Sequence, residues 1–262
     1  MLEFFFSQSF LAVLFINLTC CLLGVFTLWK KLFYFGDAMS HSLLFALALG
    51  VFFNSNQLPT LIIFSIAFAI LTHFLAQNNR DKKSMIIAIL SYFSIALAFL
   101  IDDFAPSHDD FHSFIFGNIT KVSNIEIIIL GIICAFSFTY SVFAFRKILL
   151  INLNLDLAKI QNIKTDFWNI SFLILLSLSV AISVKIVGIF LITSLLILPA
   201  AISRFFAKSP KEMIILSILI SLIVAVFSFF IANIYNLKIG AFTCVCLCLI
   251  FFFVNFLKKQ NE

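Results

Sequence analysis

The sequence predicts an all-α fold, a polytopic bundle of eight or nine transmembrane helices, on three observations. Of 262 residues, 63% are hydrophobic and only 11% charged, whereas soluble domains run at roughly 45–50% apolar and about 25% charged. A soluble fold of this length could not hide so much apolar surface, so lipid must cover much of it. The apolar residues fall in runs of span length along the whole chain, which argues for one membrane domain over residues 1–262 with no appended soluble domain. Lys and Arg gather in alternate connectors, the pattern that orientation in a membrane imposes.

A span needs about 20 apolar residues. Nine stretches qualify or nearly do: 9–28, 38–53, 60–76, 85–101, 125–145, 169–184, 188–205, 213–233 and 239–257. The first has no basic leader region and no clear small-residue cleavage site, and Trp29-Lys30-Lys31 follows it, so it reads as a retained span. Residues 169–205 are too long for one span, because at about 1.5 Å per residue they would overshoot a core of about 30 Å. Lys185 and Gly188 mark the natural break, giving two helices joined by a tight turn; eight spans is the alternative.

Fourteen of the 17 basic residues lie in alternate connectors: Lys30–Lys31, residues 80–83, 146–164, 204–211 and Lys258–Lys259. The other side holds Lys121, Lys185 and Lys238. This asymmetry predicts an external N-terminus and a cytoplasmic C-terminus. Two connectors are more than links. The outer one reads DDFAPSHDDFH (102–112). The cytoplasmic one, about 146–168, contains LNLDLAKIQNI (153–163), whose spacing suits a short amphipathic helix under the membrane.

Ionisable groups inside spans are costly and usually have a task. Asp37 and His41, in GDAMSH at the start of the second span, stand four apart on one helix face. A carboxylate and an imidazole there suit zinc or a similar divalent ion, with open positions left for water. The alternatives are that Asp37 caps its helix and that His41 bonds a neighbouring helix. His73 reads as a packed residue. His108, His112 and Asp109, with their acidic neighbours, form either a metal-entry loop or a solvated docking surface. Thr193, Ser194 and Pro199 mark a helix beside a pathway or an ordinary proline kink, since Pro199 frees the carbonyl of Leu195. The six cysteines all lie in apolar runs and read as small fillers, and the 37 phenylalanines as compositional bias.

There is no G-x-x-x-x-G-K-[ST] phosphate loop, G-x-S-x-G, H-E-x-x-H or CxxC. If transport here is driven by ATP, the motor is another chain. The net charge of +5 follows from the connector charges and calls for no nucleic-acid partner.

Four stretches carry a resemblance: KLFYFGDAMSHSLLFALALG (31–50), FIFGNITKVSNIEI (114–127), LNLDLAKIQNI (153–163) and VKIVGIFLITSLLILPAAISRFFAKSPKEM (184–213). They resemble the metal-type ABC permease family, the membrane subunits of zinc and manganese importers, over about residues 10–257. The resemblance implies a fold like that of the vitamin B12 and siderophore importers, in a bacterial inner membrane. It also implies a homodimer with the pathway between subunits, cytoplasmic ATPase subunits beneath it, and an extracytoplasmic solute-binding protein that delivers the metal. No permanent cofactor is implied; the cargo is Zn2+, with Mn2+ the alternative. Carried over, Asp37 and His41 become path residues, and Asp156, Ala158 and Asn162 the segment that couples to the ATPase. The chain departs from the family pattern at Asn118, Ser84, Ala88, Lys238 and Asn162. The rival classes are an ion-coupled secondary transporter, for which the chain lacks matched halves, and a membrane-embedded enzyme, for which it lacks a nucleophile beside Asp37 and His41.

Overall fold

Every predicted apolar stretch is a helix in the computed structural model, which describes residues 8–76, 83–103, 117, 122–235 and 237–259. In chain order these are α1 (Gln8–Trp29), α2 (Phe35–Phe52), α3 (Gln57–Ala76), α4 (Lys83–Asp102), α5 (Asn124–Leu153), α6 (Leu155–Ile160), α7 (Thr165–Val187), α8 (Ile189–Phe206), α9 (Pro210–Ile234) and α10 (Ile239–Lys259). Eight of them are long and apolar enough to cross a membrane, and α8 is the shorter ninth. The long apolar stretch breaks where expected. Gly188 takes φ 100° and ψ 158°, a conformation open essentially only to glycine, so α7 stops and α8 begins one residue later.

The fifth span differs from expectation. α5 runs on to Leu153, so the first residues of the 146–168 segment extend a helix instead of forming a loop. The run Lys147-Ile-Leu-Leu-Ile-Asn-Leu contains no breaker, and propagation costs little once a helix exists. Asn154 then ends the run by capping α6, its side chain accepting hydrogen bonds from the backbone of Asp156 (2.9 Å) and Leu157 (3.3 Å).

Other helix starts are sealed similarly. Ser123 Oγ accepts from the Glu126 N–H, and Glu126 returns the bond to the Ser123 N–H (2.8 Å) at the start of α5. Ser209 accepts from the Glu212 N–H with Pro210 at the first helical position of α9.

The chain divides into two compact units. The first comprises Met1–Lys31, Ile119–Ser141 and Thr193–Glu262. Here α1 packs along α9. Ser217 Oγ donates to the Cys21 carbonyl (3.3 Å) and Ser221 Oγ to the Asn17 carbonyl (3.2 Å), and small residues let the two backbones approach this closely. Gly24 lies against the Leu196 carbonyl, where a Cβ would collide with it. The second unit comprises Leu32–Asn118 and Val142–Ile192. Here α2 packs against α3, α4 and α7. Phe35 meets Phe68 and Phe45 meets Phe64, at centroid distances of 6.0 and 5.6 Å. Gly117 (φ +67°) sits against the backbone of Val187 and Gly188 with no room for a side chain.

Burial separates inner from outer helices. Of their span windows, α1, α2 and α7 bury 72%, 67% and 67%, against 22% for α4 and 11% for α10. The outer helices expose large apolar side chains such as Phe93 and Phe253, as a lipid-facing surface requires.

Candidate functional site

The approach to α2 is a tight turn. Lys31 takes φ 54°, Tyr34 stands at the N-cap without a side-chain cap bond, and the helix begins at Phe35. Asp37 is therefore the third helical residue and does not cap α2. Its charge lies in the first turn, where the partial positive charge of the helix N-terminus favours a carboxylate.

His41 follows one turn later, with its Nε2 3.5 Å from Asp37 Oδ1 and side-chain exposures of 25% and 51% respectively. That separation is long for a hydrogen bond. Two ligands held about 2.0–2.1 Å from one tetrahedral ion lie roughly 3.4 Å apart, so the pair is spaced to share a cation with little movement.

The rest of α2 explains why this pair is distinctive. From Phe35 to Gly50 every residue is buried except Asp37, His41, Phe45 and Leu49. Spaced by four, these make one stripe along the helix, polar at its start and apolar beyond, with the Phe45 ring leaning on Phe64. All four are half-buried, so this stripe is the least covered face of α2 between Phe35 and Gly50.

The remaining predicted residues fall as follows. In α6, Asp156 is exposed in the first turn and Ala158 is fully buried. Asn162 adopts φ 55°. The Ile163 N–H donates to the Ala158 carbonyl (3.0 Å) and the Asn162 N–H to the Lys159 carbonyl (2.9 Å), which is a Schellman closure with Asn in the left-handed position. This accounts for the departure noted there, because Asn tolerates the conformation that glycine otherwise supplies. Leu157 and Ile160 project apolar surface, exposed by 52% and 75%.

In α8 of the first unit, Pro199 is buried, and Thr193 Oγ1 is a buried hydroxyl with no hydrogen-bond partner; Ser194 is half-buried. His73 in α3 is buried beside the Phe74 ring. His108, His112, Asp109 and Asn118 lie outside the described residues. Among the described residues no three His, Cys, Asp or Glu side chains converge as a metal-binding group, so Asp37 and His41 form a two-residue pair and no closed cage.

Sequence reasoning missed the least covered stripe of α2, since a run as apolar as residues 42–53 carries no signal of which face is covered. It also missed Asn154, although an Asn before LDLAKI is a legible cap.

The ABC 3 transport family model matches residues 1–258. The high-affinity zinc uptake system membrane protein ZnuB of Haemophilus influenzae is 28% identical, over 92% of both chains. ZnuB of Buchnera aphidicola subsp. Schizaphis graminum is 31% identical, over 82% of this chain and 83% of its own. The manganese import system permease protein ScaB of Streptococcus gordonii is 28% identical, over 98% of this chain and 92% of its own. Among solved structures, PsaBC from Streptococcus pneumoniae in complex with Fab superposes with a TM-score of 0.80 at 25% identity, covering 94% of this chain and 89% of that one. The helical membrane fold, the unbroken match from end to end and the metal-permease relatives lead to one conclusion: this chain belongs to the ABC 3 transport family.

Proposed function

We propose that this chain is the membrane-spanning permease of an ATP-driven importer for a divalent metal, with zinc as cargo and Asp37 and His41 as ligands in its path. The observation that carries this reading is the least covered stripe of α2, which begins with a carboxylate and an imidazole 3.5 Å apart. Two ligands hold an ion weakly enough to release it, and water or a second element fills the remaining positions. The permease therefore supplies a transit point and no covalent chemistry.

In this reading the protein acts as a homodimer. Cytoplasmic ATPase subunits dock beneath it against α6, and an extracytoplasmic solute-binding protein delivers the ion from the other face. The exposed Leu157 and Ile160 beside Asp156 support a docking role for α6. Its Schellman closure at Asn162 holds the segment in one shape against α7. ATP binding and hydrolysis would then switch the path between outward and inward access. The basic connectors would face the cytoplasm of a bacterial inner membrane.

The test is uptake of radiolabelled zinc in cells with and without this chain. Asp37→Ala and His41→Ala each drop uptake to the level of cells lacking the chain, while both variants still co-purify with the ATPase. Wild-type uptake in both would remove the pair from the path. In vesicles, uptake requires ATP and the ATPase and is insensitive to protonophores; the reverse dependence would point to an ion-coupled carrier. Manganese is the second reading, favoured by the ScaB likeness over nearly the whole chain and by donors that accept both metals. Radiolabelled manganese in the same assay decides between them.

A further inference from the structure

Four helix ends converge at one end of the first unit. The α1 end reaches α9 through the Trp29 indole N–H, which points at Met213 Sδ (3.3 Å). The α8 end meets α10 where the Phe205 and Phe251 rings stand 5.6 Å apart, and Lys258 Nζ rests over the Phe205 ring at 5.6 Å. This convergence gathers Lys31, Arg204, Lys208, Lys211 and Lys258, all with exposed side chains. Among the described residues the acid at this end is Glu212, and its carboxylate is engaged in accepting the Lys208 backbone N–H (2.8 Å) at the α9 cap. None of these five cations lies within ion-pair distance of an acidic side chain among the described residues. At the opposite end of the unit, where α9 meets α10, Lys238 stands alone among the described basic residues.

Membrane orientation alone calls for basic residues on one side. It does not call for five of them around one set of helix ends against the single carboxylate of Glu212. Such an excess is repulsive unless a further anion sits among the charges. The surface just beyond the cations is apolar and exposed: Phe206, Ile215, Phe252, Phe253 and Phe256 are each more than half exposed. A soluble anion has no use for that surface, whereas a phospholipid fills both parts at once. Its acyl chains lie on the phenylalanines, and Lys and Arg stems lie along the same surface while their heads reach headgroup depth.

We propose that this basic end of the first unit is a binding site for the headgroup of an anionic phospholipid. Trp29 and Phe205 set the depth of the headgroup, and Arg204 and Lys258 contact its phosphate, with Lys208 and Lys211 completing the rim.

The experiment uses the purified full chain in detergent, with lipid added back. Phosphatidylglycerol raises the melting temperature by several degrees, while phosphatidylcholine and inorganic phosphate leave it unchanged. In Arg204→Gln/Lys208→Gln/Lys211→Gln/Lys258→Gln the phosphatidylglycerol shift is lost, whereas Arg146→Gln/Lys147→Gln, from the other unit, keeps it. Native mass spectrometry of the single variant Lys258→Gln, the mildest change, reads the same point if the quadruple variant folds poorly: it retains fewer phosphatidylglycerol molecules than wild type. Equal stabilisation by phosphatidylcholine, or an undiminished phosphatidylglycerol shift in the quadruple variant, overturns the proposal. A shift produced by inorganic phosphate alone makes this a soluble-anion site and overturns it as well. Loss of ATPase co-purification with lipid retention unchanged reassigns the patch to a protein partner. The melting shift and lipid retention are read on the purified chain, apart from the zinc-uptake assay, so the two proposals stand or fall separately.

Discussion

In the proposed path Asp37 and His41 would contribute different things to the same cation, and their substitutions should differ in detail. Asp37→Asn keeps the size and one oxygen but removes the charge; His41→Phe keeps the ring and removes the donor. Each is expected to raise the half-saturating zinc concentration for uptake at least about tenfold, the scale on which weaker perturbations of metal ligation already act. A dose–response of radiolabelled uptake in each variant measures it, and unchanged half-saturation in both would separate the pair from the ion. Asn162 matters for its backbone. A β-branched residue at φ 55° pays the left-handed penalty of roughly 1–2 kcal/mol. Asn162→Val should therefore lower the melting temperature and weaken ATPase co-purification. Asn162→Gly should leave both near wild type. Because the Asn162 side chain is exposed, equal damage from Gly and Val would mean that the side chain, not the backbone, carries the role.

At the scale of elements, α1 is held by close backbone approach more than by bulk. Gly24 faces the Leu196 carbonyl with no space for a Cβ, and the obstacle is backbone that cannot rotate away. Gly24→Val is expected to destabilise the chain by about 1–3 kcal/mol, as overpacking does in a filled interior. Ser221→Ala removes a hydroxyl shared between the Asn17 carbonyl and side-chain oxygens and should cost about 0.6 kcal/mol, typical of interhelical bonds in membrane proteins. Thermal melting in detergent ranks the two, and a larger effect from Ser221→Ala would contradict the packing account. The same contrast explains the helix hierarchy. Inner α2 buries Gly, Ala and Ser, and α1 buries Ala12 and Gly24 among larger side chains, whereas outer α4 and α10 spend their surface on Phe, Leu and Ile.

At the scale of the whole molecule, the alternation of basic connectors makes a claim about sidedness. A cysteine at Lys159, in α6, should react with an impermeant thiol reagent only from the cytoplasmic face. A cysteine at Ser55, in the turn after α2, should react only from outside. These labels are read in a background where the six native cysteines (Cys20, Cys21, Cys134, Cys244, Cys246 and Cys248) are replaced by Ser or Ala. Labelling of position 159 from outside would place α6 on the wrong side for any cytoplasmic motor, and the importer reading would fail with it.

Much of this was legible in the residues alone. Run lengths located all nine apolar helices, every end within a few residues except the far end of α5, and Gly188 located the break between α7 and α8, because partition into lipid and tolerance of an unusual φ are local properties. The spacing of Asp37 and His41 was legible for the same reason. Tertiary structure alone decided which helices are inner, which face of α2 is least covered, that Asp37 sits inside the helix and not at its cap, and that α5 continues to Leu153. The physical reason is that lipid chains and a protein interior are about equally apolar. Hydropathy says that a segment leaves water, and only packing says whether it then meets lipid, another helix or an ion.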